Sequence, residues 1–69
     1  MNFVWVNGFT ITVSAEDGRA VISANREGLI SLARHMAALA YETPGSHIHL
    51  DANNALEDGS AELIIEKTE

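Results

Sequence analysis

Residues 25–41 read NREGLISLARHMAALAY, and the fold turns on this stretch. Asn25 is a residue type that caps helix N-termini, its side-chain oxygen accepting from a backbone N–H that has no intrahelical acceptor. Glu27 puts negative charge at the positive end of the helix dipole. Leu29, Leu32, Ala33, Met36, Leu39 and Ala40 recur at helical spacing, while Ser31, Arg34, His35 and Ala38 fall on the opposite arc. The spacing predicts one amphipathic helix over residues 26–41, with the Leu29 and Met36 side buried and His35 solvated. Ile30, Ala37 and Tyr41 widen the stripe beyond what one sheet contact needs, which leaves a flank for another chain, and Ala33, Ala37 and Ala40 permit close approach. Gly28 weakens the first turn slightly. Pro44-Gly45 ends the helix, because Pro cannot continue it and Gly has a permissive backbone.

Strand patterns lie on both sides. Phe3-Val4-Trp5-Val6 is a β-branched and aromatic run, followed by Asn7-Gly8, a signal for a two-residue hairpin turn. In Phe9-Thr10-Ile11-Thr12-Val13 strict alternation points Phe9, Ile11 and Val13 to the core. Glu16-Asp17-Gly18 predicts a second turn into Arg19-Ala20-Val21-Ile22-Ser23-Ala24. After the helix, Ser46-His47-Ile48-His49-Leu50-Asp51 alternates with Ile48 and Leu50 inward. A polar loop with Asn53, Asn54 and the turn pair Asp58-Gly59 leads to Glu62-Leu63-Ile64-Ile65-Glu66-Lys67, with Leu63 and Ile65 inward. The expected architecture is α+β: an antiparallel sheet of about five strands in the order βββαββ, one helix on one face, and residues 1–69 forming a single domain. Short connections favour antiparallel neighbours and leave the strand order open.

Composition narrows the function classes. A chain of 69 residues buries only about 60% of the surface exposed by its unfolded form, so its stability is expected to be marginal. It has no cysteine, which removes disulfides and thiolate zinc sites. No stretch approaches the roughly 20 apolar residues of a membrane span, and the N-terminus lacks a basic region followed by an apolar run. A cytoplasmic protein is expected, with neither membrane nor cofactor. Ten acidic residues against four basic give a formal charge of -6. Nucleic-acid binding requires clustered Lys and Arg and is not expected. The charge either attracts a basic protein partner or simply maintains solubility.

His47-x-His49-x-Asp51 is the one constellation with chemistry in it. Residues two apart on a strand project from the same face, about 6–7 Å apart. Two such imidazoles can chelate zinc, with Asp51, Glu62 or Glu66 completing a site. The plainer reading is a polar face in which His47 and His49 stand across from Glu62 and Glu66. With three histidines and no cysteine, no nucleophilic triad can be argued. Asp51 with Glu57 or Asp58 has no predicted pocket to shift a pKa. No enzymatic activity is expected. Phe3, Trp5 and Tyr41 are candidate surface anchors or core residues, with core the commoner fate of Trp5.

From Asn25 onward the chain resembles the immunity protein thirty-two family of bacterial polymorphic toxin systems. The likeness is carried by EGLISLA at residues 27–33, GSHIHLD at 45–51 and LEDGSAELIIEK at 56–67, in which GSHIHLD and GSxELIIEK are specific together and neither is so alone. It covers roughly the C-terminal two thirds of the chain and leaves out the N-terminal hairpin, which is either a toxin-specific surface or a pair of freely varying strands. The resemblance implies a cytoplasmic, non-catalytic protein that binds and neutralises a cognate toxin. The expected contacts are His47, His49, Asp51, Asn53, Asn54, Glu57, Asp58, Glu62 and Glu66, against a basic toxin surface. A metal-binding protein using His47, His49 and Asp51, and a homodimer formed through the helix flank, are the other expectations.

Overall fold

The structure, a computed structural model, describes residues 5–69. Its elements are β1 (Ile11–Glu16), β2 (Arg19–Ala24), α1 (Arg26–Ala40), β3 (His47–Leu50) and β4 (Leu63–Glu66). The α+β class and the single helix stand. The single five-stranded sheet does not, because among the described residues β1 pairs only with β2 and β3 only with β4, each antiparallel. The order among the described residues is ββαββ.

Hydrogen bonding explains the division into two sheets. The β1–β2 hairpin turns at Asp17 and Gly18, whose φ values of 52° and 75° suit a tight two-residue turn. The other edge of β1 is occupied by the loop before β4. Glu57 N–H donates to the Ile11 carbonyl at 2.8 Å and Ala61 N–H to the Val13 carbonyl at 2.8 Å, while Ser60 Oγ accepts from Val13 N–H at 3.1 Å. Every ladder position has one donor and one acceptor, so a loop using them excludes a third strand.

The expected N-terminal hairpin falls partly outside the described residues, since Phe3 and Val4 are not among them. Its turn is present: Gly8 has φ 85° and Phe9 N–H donates to the Val6 carbonyl. Among the described residues its ladder is not, because Trp5, Val6, Phe9 and Thr10 are not strand residues. Val6 N–H is taken by Ser31 Oγ at 2.8 Å and Thr10 N–H by Asn25 Oδ1 at 3.0 Å.

The helix begins and ends where the sequence places it, to within a residue, but it is rotated. Asn25 is the N-cap, its side chain accepting from Gly28 N–H at 2.8 Å. The buried face is Gly28, Ser31, Leu32, His35 and Leu39, whereas Leu29 is 55% and Met36 43% exposed. Ser31 and His35 are thus inside, not on the solvated arc, and Leu29, Ala33, Met36 and Ala40 are exposed. The reason is local. A Cβ built on Gly28 would meet the Thr10 carbonyl oxygen at 2.5 Å, Ile11 Cγ1 at 3.0 Å and Ala24 Cβ at 3.1 Å, so Gly28 lets the helix lie against β1 and β2 by that edge. Ser31 satisfies its hydroxyl by donating to the Glu27 carbonyl as well as accepting from Val6. His35 meets the Trp5 ring edge-on, with centroids 4.1 Å apart.

The core joins both sheets and the helix: Ile11, Val13, Leu32, Leu39, Ile48, Leu50, Ala55 and Leu56. Trp5 is partly buried against it and stacks on Phe9, while Tyr41, at 90% exposure, is outside. The polar loop contributes Ala55 and Leu56 to this core, which its composition did not announce. No basic residue stands in the last helical turn. Lys67, from the far end of the chain, supplies that charge by donating to the Ala40 and Glu42 carbonyls at 2.8 and 2.7 Å, where the negative end of the dipole lies.

Gly28→Ala tests this packing. Helix propensity alone favours Ala by about 1 kcal/mol, but forcing a methyl into backbone and core atoms costs about 1–3 kcal/mol. The expected result in urea denaturation is a lowered midpoint, with a net loss of up to about 2 kcal/mol. A more stable variant would show that the helix is free to back away.

Candidate functional site

The face carrying most of the expected site is the outer side of the β3–β4 hairpin. Ile48 and Leu50 are buried and so turn their neighbours outward. Leu63 and Ile65 do the same for Ile64 and Glu66, because strand side chains alternate. The register sets His47 opposite Glu66 and His49 opposite Ile64. His47 and His49 lie edge to face, with centroids 4.9 Å apart. His47 Nδ1 is 3.2 Å from the Gly45 carbonyl oxygen. His49 Nδ1 lies 3.5 Å from Glu62 Oε2, an ion pair only when the imidazole is protonated, and each side chain is about half exposed. The structure therefore gathers His47, His49, Glu62 and Glu66 around an exposed Ile64, 52% open to solvent.

The loop residues divide by task. Asp51 closes the loop: its carboxylate accepts from Asn53 N–H at 2.9 Å and its carbonyl from the N–H groups of Asn54, Ala55 and Leu56. Asn54 accepts from Asp51 N–H at 2.9 Å and donates to the His49 carbonyl at 3.0 Å. Both side chains are spent on backbone, an arrangement these short polar groups readily form. Asn53, Glu57 and Asp58 are exposed, and among the described residues no hydrogen bond or ion pair joins their side chains to the histidine row. The nine expected residues thus form a face of four and a loop of five, two of which hold the loop's shape.

The alternative of a metal held by His47, His49 and Asp51 finds no convergent geometry. The imidazoles contact each other and the Asp51 carboxylate is engaged with Asn53. Among the described residues no group of three or more His, Asp or Glu is placed to hold a metal ion. A small open hollow lined by Ser14, Glu16, Asp17, Arg19 and Val21 sits at the β1–β2 turn. What the residue choice missed is apolar. Ile64 sits within the polar row, and its position follows from the inward placement of Leu63 and Ile65.

Two substitutions separate surface from scaffold. Glu62→Gln is expected to change stability by less than about 0.5 kcal/mol, since an exposed pair is worth little. Asn54→Ala removes the bonds to both Asp51 and His49 and is expected to cost roughly 1–2 kcal/mol, with faster amide exchange across residues 51–57. Equal effects of the two in urea titration would contradict this division.

Comparison with known families gives a match to the model described as Immunity protein 32 over residues 20–68. No curated protein and no solved structure matches the chain. The matched region runs from β2 through β4 and includes the whole hairpin face, while β1, which contributes Ile11 and Val13 to the core, lies before it.

Proposed function

The chain belongs to the Immunity protein 32 family, and from that membership we propose that it binds and neutralises a cognate bacterial toxin in the cytoplasm of the cell that makes both. The observation that carries this reading is the family match over residues 20–68, well over half the chain. The neutraliser acts by occupying the toxin's surface and catalyses nothing itself. That no helix among the described residues is long and apolar enough to cross a membrane is compatible with the cytoplasmic setting.

The contact face in this proposal is His47, His49, Glu62 and Glu66, with Asn53, Glu57 and Asp58 at its side. Two features support it. The outward row is held by a ladder whose inner residues are core, so its side chains are presented on a rigid element. The excess of carboxylates, in a chain of net charge -6, steers a basic toxin surface into encounter. Ile64 supplies an apolar centre inside a polar rim, the usual anatomy of a protein contact.

Co-expression with the toxin encoded beside this gene is expected to restore growth, and the purified proteins to associate. A variant combining His47→Ala, His49→Ala, Glu62→Gln and Glu66→Gln is expected to bind at least about tenfold more weakly, with the loss of carboxylate charge appearing as slower association at low salt. Protection with unchanged affinity in that variant would move the contact to another face. No protection and no association with wild-type protein would end the toxin-neutralising reading.

A further inference from the structure

Helix α1 buries a mixed face and leaves a second, apolar face open. Gly28, Leu32 and Leu39 point inward. Leu29 and Met36 stand 55% and 43% exposed, and Ala33 and Ala40 are exposed with them. These four residues follow at steps of four, three and four, the spacing of a coiled-coil seam. Large and small alternate along it, and no charged residue interrupts it.

That alternation is self-complementary in one orientation. If two copies of the helix pair antiparallel about a two-fold axis passing between Ala33 and Met36, Leu29 faces Ala40 of the second copy and Met36 faces Ala33 of the second copy. Each large side chain meets a small one in every layer, as close-packed interiors require. A parallel pairing would set Leu29 on Leu29 and leave the alanines facing a gap. Charge agrees with the antiparallel choice. Arg26, its side chain 81% exposed and 3.7 Å from the Glu27 carboxylate, is brought to the end of the second helix, where Glu42 follows the C-cap. The two macrodipoles also oppose, which favours antiparallel neighbours. We infer that the Leu29, Ala33, Met36 and Ala40 face of α1 docks a second copy of this chain in an antiparallel, two-fold helix pair.

The contact is small, so the dimer is weak. One helix pair falls below the roughly 1,200 Å² of a standard stable interface. Each copy carries a charge of -6, which opposes approach at long range and is screened by salt. Salt therefore strengthens self-association, whereas it weakens steering toward a basic toxin. The helix seam and the hairpin face are different surfaces, so the inference stands apart from the toxin-neutralising role.

Sedimentation velocity on the full chain, from about 10 μM to about 1 mM, is expected to show a reversible monomer–dimer equilibrium that shifts toward dimer with added salt. Ala33→Glu, which sets a carboxylate against Met36 twice per pair, is expected to weaken it at least about tenfold. Should circular dichroism show that this variant is unfolded, Ala40→Glu serves in its place. Because the chain has no cysteine, a Leu29→Cys, Ala40→Cys variant gives an unambiguous cross-link. On oxidation the thiol at 29 is expected to join the thiol at 40 of the second copy, identified by peptide mass spectrometry. A strict monomer at every concentration, a dimer indifferent to both glutamate variants, or a cross-link joining 29 to 29 would overturn the inference. Loss of toxin protection by Ala33→Glu with a monomeric wild type would assign the seam to the toxin, and also overturns it. Protection retained by a monomeric Ala33→Glu chain supports the inference and leaves the toxin contact elsewhere.

Discussion

The side chain of Asn25 is the knot on which the rest of the molecule depends. Its oxygen accepts from Gly28 N–H and from Thr10 N–H, and its nitrogen donates to the Gly8 carbonyl. Its own backbone N–H donates to the Thr10 carbonyl. One residue thereby caps the helix, ends β2 and anchors the segment that enters β1. Three residues later Gly28 removes the methyl that would hold the helix off that segment. A small domain with a limited core has few other ways to fix the angle between its layers, and the helix rotation follows from this joint.

Two consequences run outward from that rotation. Inward, a mixed face of Gly28, Ser31, Leu32, His35 and Leu39 is buried, with its polar members served by Val6, Glu27 and the Trp5 ring. Outward, the most regular apolar row of the helix is left to solvent. An apolar stripe of six positions looked like one broad buried face, yet it is the sum of part of a core face and an exposed seam. Periodicity reports which residues share a side of a helix, not which side a neighbouring sheet covers.

The far end of the fold is closed by parts that local patterns do not reveal. Lys67 reaches the helix C-terminus across 27 residues of sequence, and Leu56 enters the core from a loop of polar composition. The same loop pairs with the free edge of β1, which divides the strands into two sheets. Its shape is held by Asp51 and Asn54, so the two loop residues with the best-placed polar groups serve the scaffold. The hairpin face was legible, because period-two alternation around Ile48, Leu50, Leu63 and Ile65 has only one outcome once those residues find a core.

The sequence alone determined the α+β class, the limits of α1 to within a residue with its Asn25 cap, the turn at Asp17-Gly18, the inward and outward rows of β3 and β4, and the family. These are local properties, written in spacing, turn chemistry and capping within a few residues. Only the tertiary structure decided the rotation of the helix, the burial of Ser31 and His35, the exposure of Leu29 and Met36, and the division into two sheets. Each of those depends on which distant groups meet, as the Glu57 and Ala61 N–H groups meet the carbonyls of β1. It also depends on how closely two elements can approach, as Gly28 permits, and neither is encoded at a fixed separation along the chain.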